Sequence, residues 1–355
     1  MAPPPNACAI PTPATPDDRA AADAAWAPPA PAPRSLDDAP RVDVGLVALD
    51  IDGTLLRPDK RLSRRVVEAI HRTRRRGVKV LLATARPPRG TRPIHAALQL
   101  DTPTINYNGA LVDDVLRGRF VQHRPLHPPL VGRVAALARR LFPRIRVDAE
   151  VLDRWYTDAP PAVGEERSPQ RTPRSQGEAG TVAARSDDDA AASRWASACA
   201  AASAVSSRSA RQWRPDVVCP VEAFTSAPTT KLMFSGEPGE VAQLHAALRC
   251  RFGPQIGLVY GEPRLLLAVA AGVDKAPALA AVAAAYGVER QRVLAIGDAG
   301  NDAGMLRWAG VGVALANATA TARAAASTIA PGNGDDGVAI ALERLVLGMG
   351  AGRGR

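Results

Sequence analysis

Cysteine, lysine and aromatic residues are all scarce in this chain of 355 residues. The four cysteines have unrelated spacings, so the sequence indicates neither a disulfide framework nor a zinc site. No apolar run is long enough to span a bilayer. The first 33 residues also lack the charged and apolar regions of a secretory signal. We therefore expect a reduced, cytoplasmic setting and no membrane partner.

The formal charge is +10, and arginine carries most of it because only four lysines are present. A basic chain can indicate nucleic-acid binding. Here the arginines are scattered, apart from residues 74–76 at a predicted helix end, where the helix dipole favours cations. Aromatic residues, at 4%, are too few for a base-stacking surface. We expect no nucleic-acid partner, and the oligomeric state stays open.

Strands and helices alternate over residues 41–113 and again over 264–348. This rhythm predicts an α/β fold, a doubly wound parallel-sheet (Rossmann-like) core. We expect residues 104–107 to be the third parallel strand, and residues 265–270 to open the second half of the core.

The segment between these halves, residues 114–263, is predicted to be an inserted α+β cap domain. Within it, the low-complexity residues 160–213 are expected to be disordered, with a weak helix over 187–206. Residues 1–40 are rich in proline and alanine and predict a disordered tail, and residues 349–355 form a second tail.

The apolar run 46–49 ends in two carboxylates, Asp50 and Asp52. On an extended chain residues two apart point the same way, so both acids can face one site. A calcium loop is excluded, because an EF-hand needs Gly and Glu where this chain has Leu55 and Arg61. The simplest alternative is a strand end with two solvated acids.

Other predicted strand ends and helix starts also carry polar groups: Thr84, Lys275, Asp298, Asn301 and Asp302. In a parallel sheet these positions emerge at one edge, so they can meet the first two acids. An acid-rich site with oxygen ligands selects Mg²⁺. Together with a lysine and a threonine hydroxyl, such a cation makes a receptor for phosphate.

Two reactive roles follow for the paired acids. A carboxylate held beside phosphorus can act as a nucleophile and form an aspartyl-phosphate. The second acid, under its neighbour's charge, can keep a proton near neutral pH and give it to the leaving oxygen.

These residues, together with the run from Asp50 to Leu55 and Gly297, resemble the haloacid dehalogenase-like phosphatases. The segments 108–110, 272–275 and 317–318 resemble the Cof-type, subclass IIB branch, which carries a type C2 cap. The resemblance covers residues 42–113 and 230–345.

The resemblance implies a role for each matched position. Asp50 would be the nucleophile and Asp52 the general acid and base. Asp50, the backbone carbonyl of Asp52, and Asp298 would bind Mg²⁺, with Asp302 supporting the outer shell. The phosphoryl oxygens would be held by Ile51, Thr84, Ala85, Lys275 and Asn301.

Two positions depart from the family pattern, Ala85 in place of a usual Gly and Gly304 in place of a frequent acid. The expected activity is a Mg²⁺-dependent phosphatase for small phosphorylated metabolites such as sugar phosphates. A phosphomutase of the same superfamily and a non-catalytic phosphate-binding module remain as alternatives.

Overall fold

The computed structural model describes residues 33–36, 42–158, 215–221, 223 and 227–349. The expectations for residues 160–213, for the weak helix within them, for residues 350–355 and for most of the first tail lie outside the described residues. Within the described ranges, no helix is long and apolar enough to cross a membrane.

Fifteen strands are described: β1 Arg34–Ser35, β2 Leu46–Leu49, β3 Lys79–Leu82, β4 Thr104–Asn106, β5 Leu111–Asp114, β6 Arg119–His123, β7 Arg146–Val151, β8 Arg154–Thr157, β9 Val217–Val218, β10 Lys231–Ser235, β11 Ile256–Glu262, β12 Leu265–Ala270, β13 Val293–Gly297, β14 Val311–Leu315 and β15 Thr328–Ala330.

The described α-helices are α1 Arg64–Arg75, α2 Pro88–Ala97, α3 Pro128–Leu141, α4 Pro238–Phe252, α5 Lys275–Ala285, α6 Ala303–Trp308, α7 Ala320–Ala325 and α8 Gly337–Leu345.

The core is a six-stranded parallel sheet in the order β1-β15-β14-β13-β2-β3. Alternate strand residues enter opposite layers: Val47 and Leu49 pack in the layer of α1, α2 and α8, while Leu46 and Ala48 pack in that of α5, α6 and α7. The doubly wound α/β core with its inserted cap is therefore confirmed. Near-continuous apolar strands follow from burial on both faces.

The first tail is not wholly outside the fold. Arg34 and Ser35 pair in parallel with Thr328 and Ile329, and Leu36 is buried in the core. The prediction of disorder up to residue 40 is wrong for these three positions. Two paired residues are too short a run to show a strand period in sequence.

The predicted third parallel strand is also corrected. β4 pairs antiparallel with β5, which pairs antiparallel with β6, in a separate three-stranded sheet. β4 also forms a parallel bridge to the end of β3, between Ala83 and Ile105, so the predicted direction is right, although β4 is not a ladder strand of the parallel sheet. A three-residue strand gives no sequence signal for the direction of its partner.

The cap is a six-stranded sheet in the order β11-β12-β10-β7-β8-β9, with α3 and α4 packed on one face. β12 pairs antiparallel with both β10 and β11. The expected boundary before residue 264 is therefore wrong, because it assigns a central cap strand to the core. An apolar run is equally typical of a buried parallel strand and of a central antiparallel one.

Candidate active site

The central strands of the parallel sheet end at one edge, and the predicted acids lie there. The amide of Asp50 donates to the carbonyl of Ile296 on β13 at 3.0 Å, and that of Ala83 donates to the carbonyl of Leu49 at 2.8 Å. Asp50 therefore lies between the ends of β3 and β13. From β2 the chain continues to β3 on one side, while β13 lies on the other side of β2. Such a reversal of strand order is the switch point at which open α/β sheets bind ligands.

Lys275, the first residue of α5, is fully buried. Its Nζ donates to Oδ1 of Asp50 at 2.7 Å and to Oδ1 of Asp302 at 2.6 Å. Burial disfavours the ammonium, but the two carboxylates outweigh burial and raise the pKa of Lys275. A cation at a helix N-terminus is disfavoured by the helix dipole, so the contacts with Asp50 and Asp302 stabilise the Lys275 ammonium at this position.

Burial also acts on the acid side of this contact. It raises the pKa of Asp50 to about 7, with the charges of Asp302 and Asp298 acting in the same direction and Lys275 against them. Burial likewise raises the pKa of Asp298, opposed by the hydrogen bond from Thr54. The site thus concentrates more negative charge than one lysine neutralises.

Asp50, Asp298 and Asp302 bring carboxylate oxygens within 4.8 Å of one another. Oδ1 of Asp50 accepts from Lys275, and Oδ1 of Asp298 accepts from the Thr54 hydroxyl at 2.5 Å. In the described part of the chain, no hydrogen bond uses Oδ2 of Asp50 or of Asp298. Free carboxylate oxygens are the ligands that Mg²⁺ prefers.

Gly53 lets the backbone pass against this acidic cluster. Its φ is +86°, and a Cβ there would lie 2.2 Å from Oδ2 of Asp298. Any other residue would press its side chain into the oxygen that is left free for a ligand. The residues present therefore fit a divalent cation.

Asp302 is engaged differently. One oxygen accepts from Lys275, and the other accepts from the amides of Asp298 and Ala299, both at 2.9 Å. With both oxygens occupied, Asp302 supports the loop that carries Asp298. Asn301 precedes it and donates its Nδ2 to Oδ1 of Asn108 at 2.9 Å.

The other expected phosphate-binding groups line the same strand ends. Thr84 is buried, and its hydroxyl oxygen accepts from the amide of Arg86 at 3.1 Å, which leaves the hydroxyl proton available. No hydrogen bond among the described residues uses the amides of Ile51 or Ala85. These three donors are therefore available to an anion.

Asp52 is partly exposed and pairs with two cations. It accepts from Arg86 through Nε at 2.6 Å and Nη2 at 2.8 Å, and from Lys60 at 3.1 Å. Burial would raise its pKa, but the hydrogen bonds and charge of Arg86, together with Lys60, outweigh burial and lower it. The expectation that Asp52 keeps a proton near neutral pH is therefore wrong for this arrangement.

The structure accounts for the two departures from the family pattern, Ala85 and Gly304. Glycine would be needed at position 85 only if the backbone there were left-handed. Ala85 is not among the described non-glycine residues with positive φ, so alanine causes no backbone strain there. A Cβ on Gly304 would lie 2.2 Å from Oδ1 of Asp274, the oxygen that caps α5 by accepting from the amide of Ala276. A glycine at 304 thus leaves room for the cap of the lysine-bearing helix.

Sequence reasoning missed several residues that shape this site: Thr54, Lys60, Arg86 and Asn108. For Arg86 a signal was present, since it lies two residues after Thr84 at the same sheet edge. The hydroxyl of Thr54 stands within the Asp50–Leu55 run and belongs to the same signal. Asn108 lies in segment 108–110, which carries part of the resemblance, whereas the contact of Lys60 depends on tertiary geometry and had no local signal.

A second ionic cluster joins cap and core. Glu150 on β7 accepts from Arg89 at 2.9 Å and from the hydroxyl of Tyr107, and it pairs with Lys231 at 3.2 Å. We name as the cap–core cluster this residue and its connected ions: Arg89, Arg92, Asp113, Glu150, Asp153 and Lys231. Lys231, on β10, is its buried cation.

Fold and site together define a doubly wound α/β core that has an acid-rich sheet edge and carries an inserted cap. A family model described as haloacid dehalogenase-like hydrolase matches residues 47–342. The chain therefore belongs to the haloacid dehalogenase-like hydrolase family, and the resemblance seen in its motifs is confirmed.

Relatives with similar sequence are named phosphatases. Over 84 residues the chain is 39% identical to 5-amino-6-(5-phospho-D-ribitylamino)uracil phosphatase YitU of Bacillus subtilis, covering 23% of this chain and 31% of that protein. Over 69 residues it is 42% identical to pyridoxal phosphate phosphatase YbhA of Escherichia coli, covering 19% and 25%. The chain thus aligns with about a third or less of the length of these curated relatives.

Solved structures support the fold over a larger span. A haloacid dehalogenase-like hydrolase from Bacteroides thetaiotaomicron matches with a TM-score of 0.64 at 24% identity, covering 85% of this chain and 99% of that one. A subclass IIB sugar phosphatase matches with a TM-score of 0.61 at 16% identity, covering 85% and 98%. At these identities the likeness shows the shared fold.

Proposed function

We propose that this protein is a Mg²⁺-dependent phosphatase that hydrolyses small phosphorylated metabolites through an aspartyl-phosphate intermediate. The observation that carries the proposal is the contact of Asp50 with buried Lys275, beside Asp298 with a free carboxylate oxygen. A nucleophile, an anion-binding cation and a metal ligand meet at one point. Phosphoryl transfer asks a protein mainly for such positioning and charge neutralisation.

The metal would be held by Asp50, the backbone carbonyl of Asp52, and Asp298, while Asp302 supports them. When bound, Mg²⁺ would neutralise negative charge on the acids and on the phosphoryl oxygens. Without that neutralisation, the pKa of Asp50 at about 7 would leave much of the nucleophile protonated near neutral pH.

The phosphoryl oxygens would be bound by the amides of Ile51 and Ala85, the hydroxyl of Thr84, the ammonium of Lys275 and the amide of Asn301. Asp50 would attack phosphorus while the bond from phosphorus to the ester oxygen breaks. Water would then attack the aspartyl-phosphate, releasing inorganic phosphate and restoring the Asp50 carboxylate. Uncatalysed ester hydrolysis is slow enough that rate gains up to ~10²¹ are needed.

Asp52 would give a proton to the leaving oxygen and then take one from the attacking water. In the structure Arg86 holds this carboxylate ionised. We therefore infer that proton donation requires the Arg86 contact to be released when substrate binds.

Small phosphorylated metabolites, with sugar phosphates as one class, are the proposed substrates. The names of the relatives support this, because they describe phosphatases of a ribityl phosphate, of pyridoxal phosphate and of a sugar. The cap, which joins the core beside the site through the cap–core cluster, would choose among them.

The test uses the purified chain with Mg²⁺ and a generic aryl phosphate. Wild type should release phosphate, and Asp50→Asn should lose activity by a factor on the order of 10⁴ or more, as expected for a nucleophile. The matched control is Asp43→Asn, the same change at an acid that is 82% exposed and pairs with Arg292. It should keep wild-type activity.

A panel of phosphate esters separates the alternatives. Wild-type inactivity against the whole panel would favour a phosphate-binding module. Isomerisation of sugar phosphates without phosphate release would favour a phosphomutase.

A further inference from the structure

The turn after β4 has an unusual backbone. Tyr107, Asn108 and Gly109 follow one another with φ of 50°, 56° and 99°. Glycine and asparagine adopt the left-handed region readily, but tyrosine does not. Consecutive residues of this kind persist only where their surroundings hold them, and they concentrate at functional sites.

The surroundings of the turn are two loops of the active site. The amide of Asn108 donates to the carbonyl of Thr84 at 2.9 Å, and the amide of Tyr107 donates to the carbonyl of Arg86 at 3.2 Å. A Cβ on Gly109 would lie 2.2 Å from the carbonyl oxygen of Asp274, the residue before Lys275. The turn thus braces both the threonine loop and the start of α5.

The side chain of Asn108 reaches a third loop. Its Oδ1 accepts from Nδ2 of Asn301 at 2.9 Å, and both residues are partly buried. A side-chain amide has one NH₂ end with two hydrogens and one acceptor end. An oxygen partner selects the NH₂ end of Asn301, and the second hydrogen of that nitrogen stays available for an anion.

We propose that Asn108 is a positioning residue, which fixes the Asn301 amide with its NH₂ end toward the phosphate position. This inference rests on the proposed function, in which Asn301 binds a phosphoryl oxygen. Without a hydrogen-bond acceptor at position 108, the Asn301 amide could turn over. It would then present its oxygen to the anion, and the two would repel each other.

The test uses Asn108→Gly, which removes the acceptor and keeps the left-handed backbone without strain. Gln99→Gly is the matched control, because Gln99 also has positive φ, at 51°, and is exposed away from the site. With Mg²⁺ present, Asn108→Gly should weaken inorganic phosphate binding in calorimetry and lower kcat/KM for an aryl phosphate, each about tenfold. Gln99→Gly should change neither.

A double-mutant cycle separates positioning from local folding. In an Asn301→Ala background, Asn108→Gly should have little further effect, because the group that it positions is gone. Losses that multiply in the double variant, or an Asn108→Gly enzyme with wild-type phosphate affinity, would overturn the inference.

A neutron structure of Asn108→Gly, which distinguishes the amide oxygen of Asn301 from its NH₂ group, gives a readout that does not need activity. The Asn301 side chain should leave its wild-type orientation, and an unchanged Asn301 would contradict the role given to Asn108. Wild-type protein that neither binds phosphate nor hydrolyses any ester would instead reject the proposed function, before any variant is compared.

Discussion

The molecule has one ionic cluster at the sheet edge of the core and another across the cap–core junction, and their charges do not balance in the same way. At the sheet edge three acids, Asp50, Asp298 and Asp302, lie together with one buried cation, Lys275, which pairs with Asp50 and Asp302. In the cap–core cluster three acids face three cations.

The difference in charge balance distinguishes a candidate ligand-binding site, the sheet-edge cluster, from a structural contact, the cap–core cluster. Buried charges are tolerated when paired, and an excess of one sign is costly unless a ligand completes it. In the proposed function a divalent cation would complete the sheet-edge cluster, whereas the acids and cations of the cap–core cluster are already equal in number. The pKa directions agree, since burial raises that of Asp50, while Lys231, Arg89 and Tyr107 outweigh burial and lower that of Glu150.

The largest expected effect comes from removing the single cation of the sheet-edge cluster. Lys275→Met should lower the free energy of unfolding by about 3–5 kcal/mol, because Asp50 and Asp302 lose their buried partner. Urea denaturation measures this change, and added Mg²⁺ should recover part of it. The control is Lys79→Met, whose half-exposed pair with Asp101 should contribute about 1 kcal/mol or less. Equal losses for the two variants would show that the buried acids are not in excess.

The next effect is that of the metal itself. A cation that binds only folded protein stabilises it by about 2.7 kcal/mol at a concentration of 100 times Kd. Mg²⁺ should therefore raise the thermal midpoint of wild type, and chelation should reverse the rise and abolish phosphate release.

Asp298→Asn provides the control for metal binding, because it removes a proposed ligand charge and keeps side-chain volume. Its thermal midpoint should respond much less to Mg²⁺. A response equal to that of wild type would place the metal elsewhere.

The two clusters also differ in how far the sequence could predict them. The sheet-edge residues were predictable, since each follows a strand or opens a helix of a parallel sheet whose ends must meet. The cap–core cluster was not, because Arg89 and Glu150 are 61 positions apart and lie on elements whose packing no local period encodes. The strand Leu265–Ala270 was placed in the wrong sheet for a related reason, as its apolar run fits either environment.

The cap–core cluster predicts a smaller loss with no metal response. Glu150→Gln should cost about 1–3 kcal/mol, because Arg89 and Lys231 lose a buried charged partner while side-chain volume is kept. Glu237→Gln, at an exposed pair with Arg264 elsewhere on the cap, is the control and should cost less than about 1 kcal/mol. Added Mg²⁺ should leave the Glu150→Gln loss unchanged, and a recovery like that of Lys275→Met would erase the distinction between the clusters.

The smallest effect is the pH dependence of the balanced cluster. The pKa of Glu150 is lowered by folding, so between the folded and unfolded pKa values the unfolded chain binds more protons. The stability that Glu150 contributes is therefore present above its ordinary pKa of 4.5 and is lost as the pH falls through the lowered value. Wild type and Glu150→Gln should differ most in unfolding free energy near neutral pH and converge in acid, as followed by urea denaturation at a series of pH values. A difference that stayed constant on acidification would mean that Glu150 stabilises the junction by shape and hydrogen bonding, without its charge.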